Sequence, residues 1–244
     1  MGFLKRMMAA VGVGGAKVDA QVHNATVRIG ESVNGVVVVQ GGGVDQRIER
    51  VNLGLATMYK ADDTYVQHQL SKVPVIPGFE LRAGERREFP FSIPVPAGTP
   101  LTLSGTRVWL ATDADIAGAA DPGDQDQLQV MPSKEMEVLF NAAQKLGFQI
   151  SGSEVEYHHG RIAQEISFRP PHGQYKIAEI EMMIFPQMGG LDVILEVDRR
   201  ATGMASMFAS EIERKGNWHL SSQTLNAGVG AVAKELEKKI RSLM

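Results

Sequence analysis

The 244-residue sequence contains no cysteine. Disulfides, thiolate metal sites and cysteine nucleophiles are therefore all excluded. No run approaches the roughly 20 apolar residues of a membrane-spanning helix. Charge of one sign is also missing: the formal net charge is -3, and no basic stripe marks a nucleic-acid surface. Lys5 and Arg6 precede a short apolar stretch that resembles a leader. That stretch carries Gly12, Gly14 and Gly15 and runs straight into strand-like alternation, so it is not read as one. Phe3, Leu4, Met7, Met8 and Val11 instead fall at the spacing of a short amphipathic helix.

Period-two alternation of apolar and polar residues is abundant. Val18, Ala20 and Val22 alternate with polar neighbours, residues 33–39 form a near-continuous valine strand, and Val51, Leu53, Leu55, Thr57 and Tyr59 share one side. Further strand-like runs cover 64–75, 85–93, 106–112 and 127–130, separated by turn residues such as Pro77, Gly78, Gly84, Pro94, Pro96 and Gly98. About seven or eight short strands with such punctuation predict an antiparallel β-sandwich over residues 1–132. A helix over 133–147 follows, with Ser133 as N-cap, Met136, Leu139, Phe140, Ala143 and Leu146 on one face, and Gly147 just past its end. Alternation resumes at 148–220 and predicts a second, smaller sandwich lobe, in which Ile180, Met182 and Ile184 alternate with Glu179 and Glu181. A single amphipathic helix over 221–244 carries Val229, Val232, Leu236, Ile240 and Leu243 on its apolar stripe.

Several separated motifs resemble the sporulation-control protein M (SpoOM) family: residues 12–20 and 30–42, Phe89 to Pro94, the block 109–132, residues 146–149, and 179–200. The resemblance implies an arrestin-like, mainly β fold of two tandem antiparallel β-sandwich lobes with a linking helix and a C-terminal helix. It also implies a cytoplasmic, non-enzymatic regulatory or scaffold protein that binds other proteins and takes no cofactor. The identity of such partners is open, and so is self-association into a homo-oligomer.

Five aspartates, at 113, 115, 121, 124 and 126, crowd one segment. With Asp113 at position 1 of a calcium loop, Asp115, Gly118, Asp121 and Asp124 fall at positions 3, 6, 9 and 12. Ala117 stands where position 5 needs an oxygen ligand, Asp124 is shorter than the usual bidentate Glu, and the flanks read as strands rather than helices. A calcium- or metal-binding regulatory protein built on this segment is thus the alternative function. The main reading is structural: aspartates bond nearby backbone N–H groups and fix turns. A variant of it, by analogy with the polar core of arrestins, pairs Asp113, Asp115 or Asp121 with Arg199 or Arg200. His158 and His159 lack further ligands at metal-site spacing. The apolar stripe of the C-terminal helix has three readings: docking within its own domain, docking on a partner, or weak membrane-surface contact through Lys234, Lys238, Lys239 and Arg241.

Overall fold

A computed structural model describes residues 15–61, 63–103, 105–117, 122–158, 161–198 and 213–244. The expected N-terminal helix and residues Gly118, Asp121, His159, Arg199 and Arg200 lie outside the described residues. The chain is mainly β and divides into two compact units. One takes residues 1–58, 67–102 and 107–131, and the other 59–66, 103–106 and 132–244. The helix at 134–145 and both C-terminal helices therefore belong to the second unit.

In the first unit β1 (Lys17–Val22), β3 (Ser32–Gln40) and β7 (Arg86–Pro94) form one antiparallel sheet. The other sheet is built on β4 (Gln46–Ala61), which pairs with β6 (Val73–Leu81) and β8 (Val108–Ile116). Beyond β8 come β9 (Gly123–Met131) and, parallel to it, the short β2 (Thr26–Arg28). The single run predicted over 64–75 is two strands, β5 (Thr64–Gln69) and β6. Val18, Ala20, Val37 and Val39 from the first sheet and Val51, Leu53, Leu110 and Leu128 from the second are buried. All of Val51 to Thr57 is buried, so side chains on both faces of β4 lose solvent there. Gly54 is required in this run, because any Cβ would collide with the Ser71 carbonyl. That close approach is what lets the Leu70 and Ser71 amides donate to Leu55 O at 2.8 and 3.2 Å.

The second unit is an antiparallel meander: β10 (Gln149–His158), β11 (Arg161–Arg169), β12 (Glu179–Gln187), β13 (Gly190–Asp198) and β14 (Glu213–Ser221). The end of β4 joins it through a parallel bridge between Lys60 and Glu156. Helices supply the layer over its apolar face. Helix α1 (Lys134–Lys145) starts where the Ser133 hydroxyl accepts from the Met136 amide at 3.2 Å. It ends at Gly147, whose φ of 88° places it in the left-handed region that favours glycine. Phe140 of α1 meets Phe168 of β11 with ring centroids 6.0 Å apart.

The C-terminal segment forms two helices, α2 (Ser222–Asn226) and α3 (Val229–Leu243). Gly228, with φ 88°, breaks them apart. Thr224 ties the pair together by donating to Glu235 Oε1 at 3.0 Å. Helix α3 packs on α1 and β14, burying Val232, Ala233, Leu236 and Ile240, while Val229 and Leu243 stay partly exposed. Two of the four basic residues are engaged locally. Lys239 Nζ donates to Asn217 O at 2.8 Å, and Arg241 pairs with Glu237 at 2.7 Å.

Because Leu236 is fully buried, Leu236→Ala should cost about 2–5 kcal/mol in urea unfolding. Lys238→Ala, on the exposed side of the same helix, should stay within about 0.5 kcal/mol. Equal effects would mean that α3 does not contribute its apolar stripe to this core.

Candidate functional site

Among the described residues the aspartate block is strand at 113–116 and at 123–126, where alternation continues. Leu110, Thr112, Ala114 and Ile116 of β8 point inward, leaving Asp113 and Asp115 on the outer face. Cross-strand cations hold them there. Asp113 accepts from Asn52 Nδ2 at 2.8 Å and pairs with Lys72 at 2.9 Å, and Asp115 pairs with Arg50 at 3.1 Å. Asp124 and Asp126 lie on β9 opposite Thr112 and Leu110. Paired residues share a face, so these two carboxylates point to the side opposite Asp113 and Asp115. The structure therefore does not bring Asp113, Asp115 and Asp124 around one point.

Asp124 Oδ2 accepts from the Ala20 amide of β1 at 3.1 Å. Asp126 is pushed up to about 6 by burial, by the neighbouring Asp124 carboxylate and by Asp19. A folded-state value above the unfolded one means that the native state gains stability on protonation. That gain is fully present below the ordinary carboxylate pKa and is lost as pH rises through about 6. At neutral pH, Asp126→Asn should therefore stabilise the protein by on the order of 1 kcal/mol, after allowance for solvent screening of a partly exposed group. This corresponds to a Tm rise of about 2–4 °C, and the difference should vanish below about pH 4. A pH-independent difference in calorimetric Tm would refute the electrostatic account.

The second unit assembles an acidic group that alternation and motif spacing do not single out. With Ile166, Phe168, Ile180, Met182, Leu195 and Val197 buried, the alternate residues of β11, β12 and β13 lie on the other face. Register then aligns them: Ser167 opposes Glu181, Glu181 opposes Glu196, and Glu196 opposes Lys215 of β14. Glu165 lies two residues along β11 and opposes Met183. One carboxylate oxygen from each of Glu165, Glu181 and Glu196 lies within 4.8 Å of those of the other two. Lys215 Nζ sits 2.7 Å from Glu196 Oε2, whose side chain is only 5% exposed.

Burial raises the pKa of Glu165, and the charges of Glu156 and Glu196 push it the same way, each outweighing the opposing pull of Lys215. Glu154 adds to the rise. The local field is thus negative at Glu165. Beside this group on the same face is a hollow of about 590 Å³, lined by Arg161, Ala163, Phe185, Asp192, Ile194 and His219 among others. Its volume lies in the range of ligand sites. Asp192 and His219 Nδ1 face each other at 2.7 Å on its wall. Alternation in the sequence places Glu181 and Glu196 on polar sides of their strands, but only strand order and register reveal that they meet.

A family model described as SpoOM protein matches residues 4–201. The sporulation-control protein spo0M of Bacillus subtilis (strain 168) is 34% identical over 215 residues, spanning 84% of this chain and 83% of that protein. The crystal structure of Spo0M, sporulation control protein, from Bacillus subtilis matches with a TM-score of 0.81 at 27% identity. It covers 95% of this chain and 100% of that one. With the family's signature spanning both units, and one fold shared along nearly the whole length, this chain belongs to the SpoOM family.

Proposed function

We propose that this protein is a non-enzymatic regulator that works in the cytoplasm by binding other proteins, as a sporulation-control protein or its counterpart. The observation that carries the proposal is the 34% identity to a sporulation-control protein, spread over more than four-fifths of both chains. Identity so distributed preserves a whole protein rather than one borrowed module. The chemistry of the acidic residues supports the non-enzymatic half. Asp113 and Asp115 are held by Lys72, Asn52 and Arg50, and a carboxylate committed to cross-strand pairing is a poor general base. Among the described residues no helix is long and apolar enough to cross a membrane.

The direct test is complementation. The full chain, expressed in a Bacillus subtilis strain deleted for its own sporulation-control protein, should return heat-resistant spore counts to those of the undeleted strain. Soluble expression with no recovery would overturn the shared role.

A further inference from the structure

The inner face of the aspartate block lacks the pairing that its outer face shows. Asp113 and Asp115, on the outside, each meet a side-chain cation. Asp124 and Asp126 follow the alternation that buries Leu128 and Val130 further along β9, so they point inward, between the two sheets of the first unit. Among the described residues neither carboxylate takes part in an ion pair. Their charges are left unmatched.

Two buried oxygens at this spot find no hydrogen-bond partner among the described residues, Thr112 Oγ1 and Asp126 Oδ2. Thr112 is only 2% exposed. Register sets it opposite Asp124, with Leu110 opposite Asp126. Opposed residues share a face, so the Thr112 side chain stands beside Asp124 and diagonal to Asp126 on the inward side. Native folds rarely leave such atoms unsatisfied, and a bound ion or water is a usual explanation. Asp124 Oδ2 accepts from the Ala20 amide of β1. A carboxylate has about four lone-pair sites, so that bond fixes the group without exhausting it.

Two carboxylates and a hydroxyl make an all-oxygen donor set, and the charge of Asp19 on β1 adds to the negative field at Asp126. A water molecule would satisfy the hydrogen bonds but leave like charges uncompensated between the sheets. A cation answers both needs. Oxygen donors select a hard ion. Ligands fixed on neighbouring strands offer no octahedral array, and a partly buried ion must shed water. Both conditions favour Ca²⁺ over Mg²⁺. We propose that Asp124, Asp126 and Thr112 hold a calcium ion between β8, β9 and the edge of β1. Asp124 and Asp126 are only half-buried, which leaves the ion a route from solvent. Of these ligands only Asp124 belongs to the calcium-loop register read from the sequence. Strand pairing, not loop spacing, assembles the site.

The test uses the full chain, freed of divalent ions with EDTA and titrated with calcium chloride by isothermal calorimetry. One ion should bind per chain, more tightly than magnesium in the same buffer. At a calcium concentration tenfold above the measured Kd, Tm should rise by about 3–6 °C. Asp126→Asn keeps the side-chain shape and should weaken calcium binding by about tenfold or more, because affinity follows the charge of the ligands. Asp124→Asn should do the same while its amide oxygen still accepts from Ala20. Thr112→Val removes only the hydroxyl and should weaken binding less. Without calcium, Asp126→Asn should melt above the wild type, since a like charge has gone. Loss of the calcium response in that variant is then not loss of the fold.

Absence of both calcium heat and a Tm shift would overturn the proposal, as would wild-type affinity in Asp126→Asn or in Thr112→Val. Tighter binding of magnesium would overturn the choice of calcium. A response lost in Glu165→Gln and kept in Asp126→Asn would give the ion to the glutamates of the second unit and remove it from this site. If Thr112→Val does not fold, the two aspartate variants decide alone. The site and the regulatory role fail separately: absent calcium binding with intact complementation removes only the site.

Discussion

Burial of one face of the β10–β14 sheet beneath α1 and α3 is the constraint on which the second unit depends. Leu139, Val232, Leu236 and Ile240 of the helices are fully buried, as are Ile180, Met182, Leu195 and Val197 of the sheet, all at 0% exposure. Full burial of one such aliphatic side chain contributes about 1.5–3 kcal/mol, so strand register is strongly specified. A one-residue slip would send the whole apolar set to the other face. The same register decides the position of every alternate residue, including three glutamates on three neighbouring strands. Their proximity follows from hydrophobic packing on the opposite side of the sheet, not from any attraction among themselves.

The first unit handles acidic residues differently. Asp113 and Asp115 each face a cation across β4 or its flanking turn, with Lys72 and Arg50 at 2.9 and 3.1 Å. These pairs are partly exposed, with side chains 39–58% accessible, and each contributes at most about 1 kcal/mol. Their value is positional. Asn52, buried on β4, needs an acceptor, and Asp113 supplies one at 2.8 Å, satisfying a polar group whose isolation would cost about 1–3 kcal/mol. On the opposite face, Asp124 serves the backbone of β1, and its charge contributes to the raised pKa of Asp126.

Local signals in the sequence translate well into local structure. The strand alternation, the Ser133 cap and the Gly147 stop all encode information within a few residues, and each appears in the fold. The aspartate block is harder to read. Five acidic residues with glycine, alanine and proline look like a loop, because aspartate has poor strand propensity. Pairing with Arg50 and Lys72, some 40 to 65 residues away in sequence, offsets that preference, and such partners cannot be read from the block itself. The single C-terminal helix expected from its apolar stripe is interrupted at Gly228, since the stripe begins only at Val229 and carries no information about Ser222–Asn226. Glu165, Glu181 and Glu196 are visible as polar positions, but their meeting depends on strand order and register.

The two acidic groups differ in how their charges are balanced. Around Asp113 and Asp115 the carboxylates are matched by cations pair by pair, and neither residue lines the hollow. Around Glu165 the field of Glu156 and Glu196 outweighs Lys215, in a half-buried position where like charges are costly. Burial of like charges at Glu165 is thus a cost that the apolar packing on the other face of the same sheet outweighs.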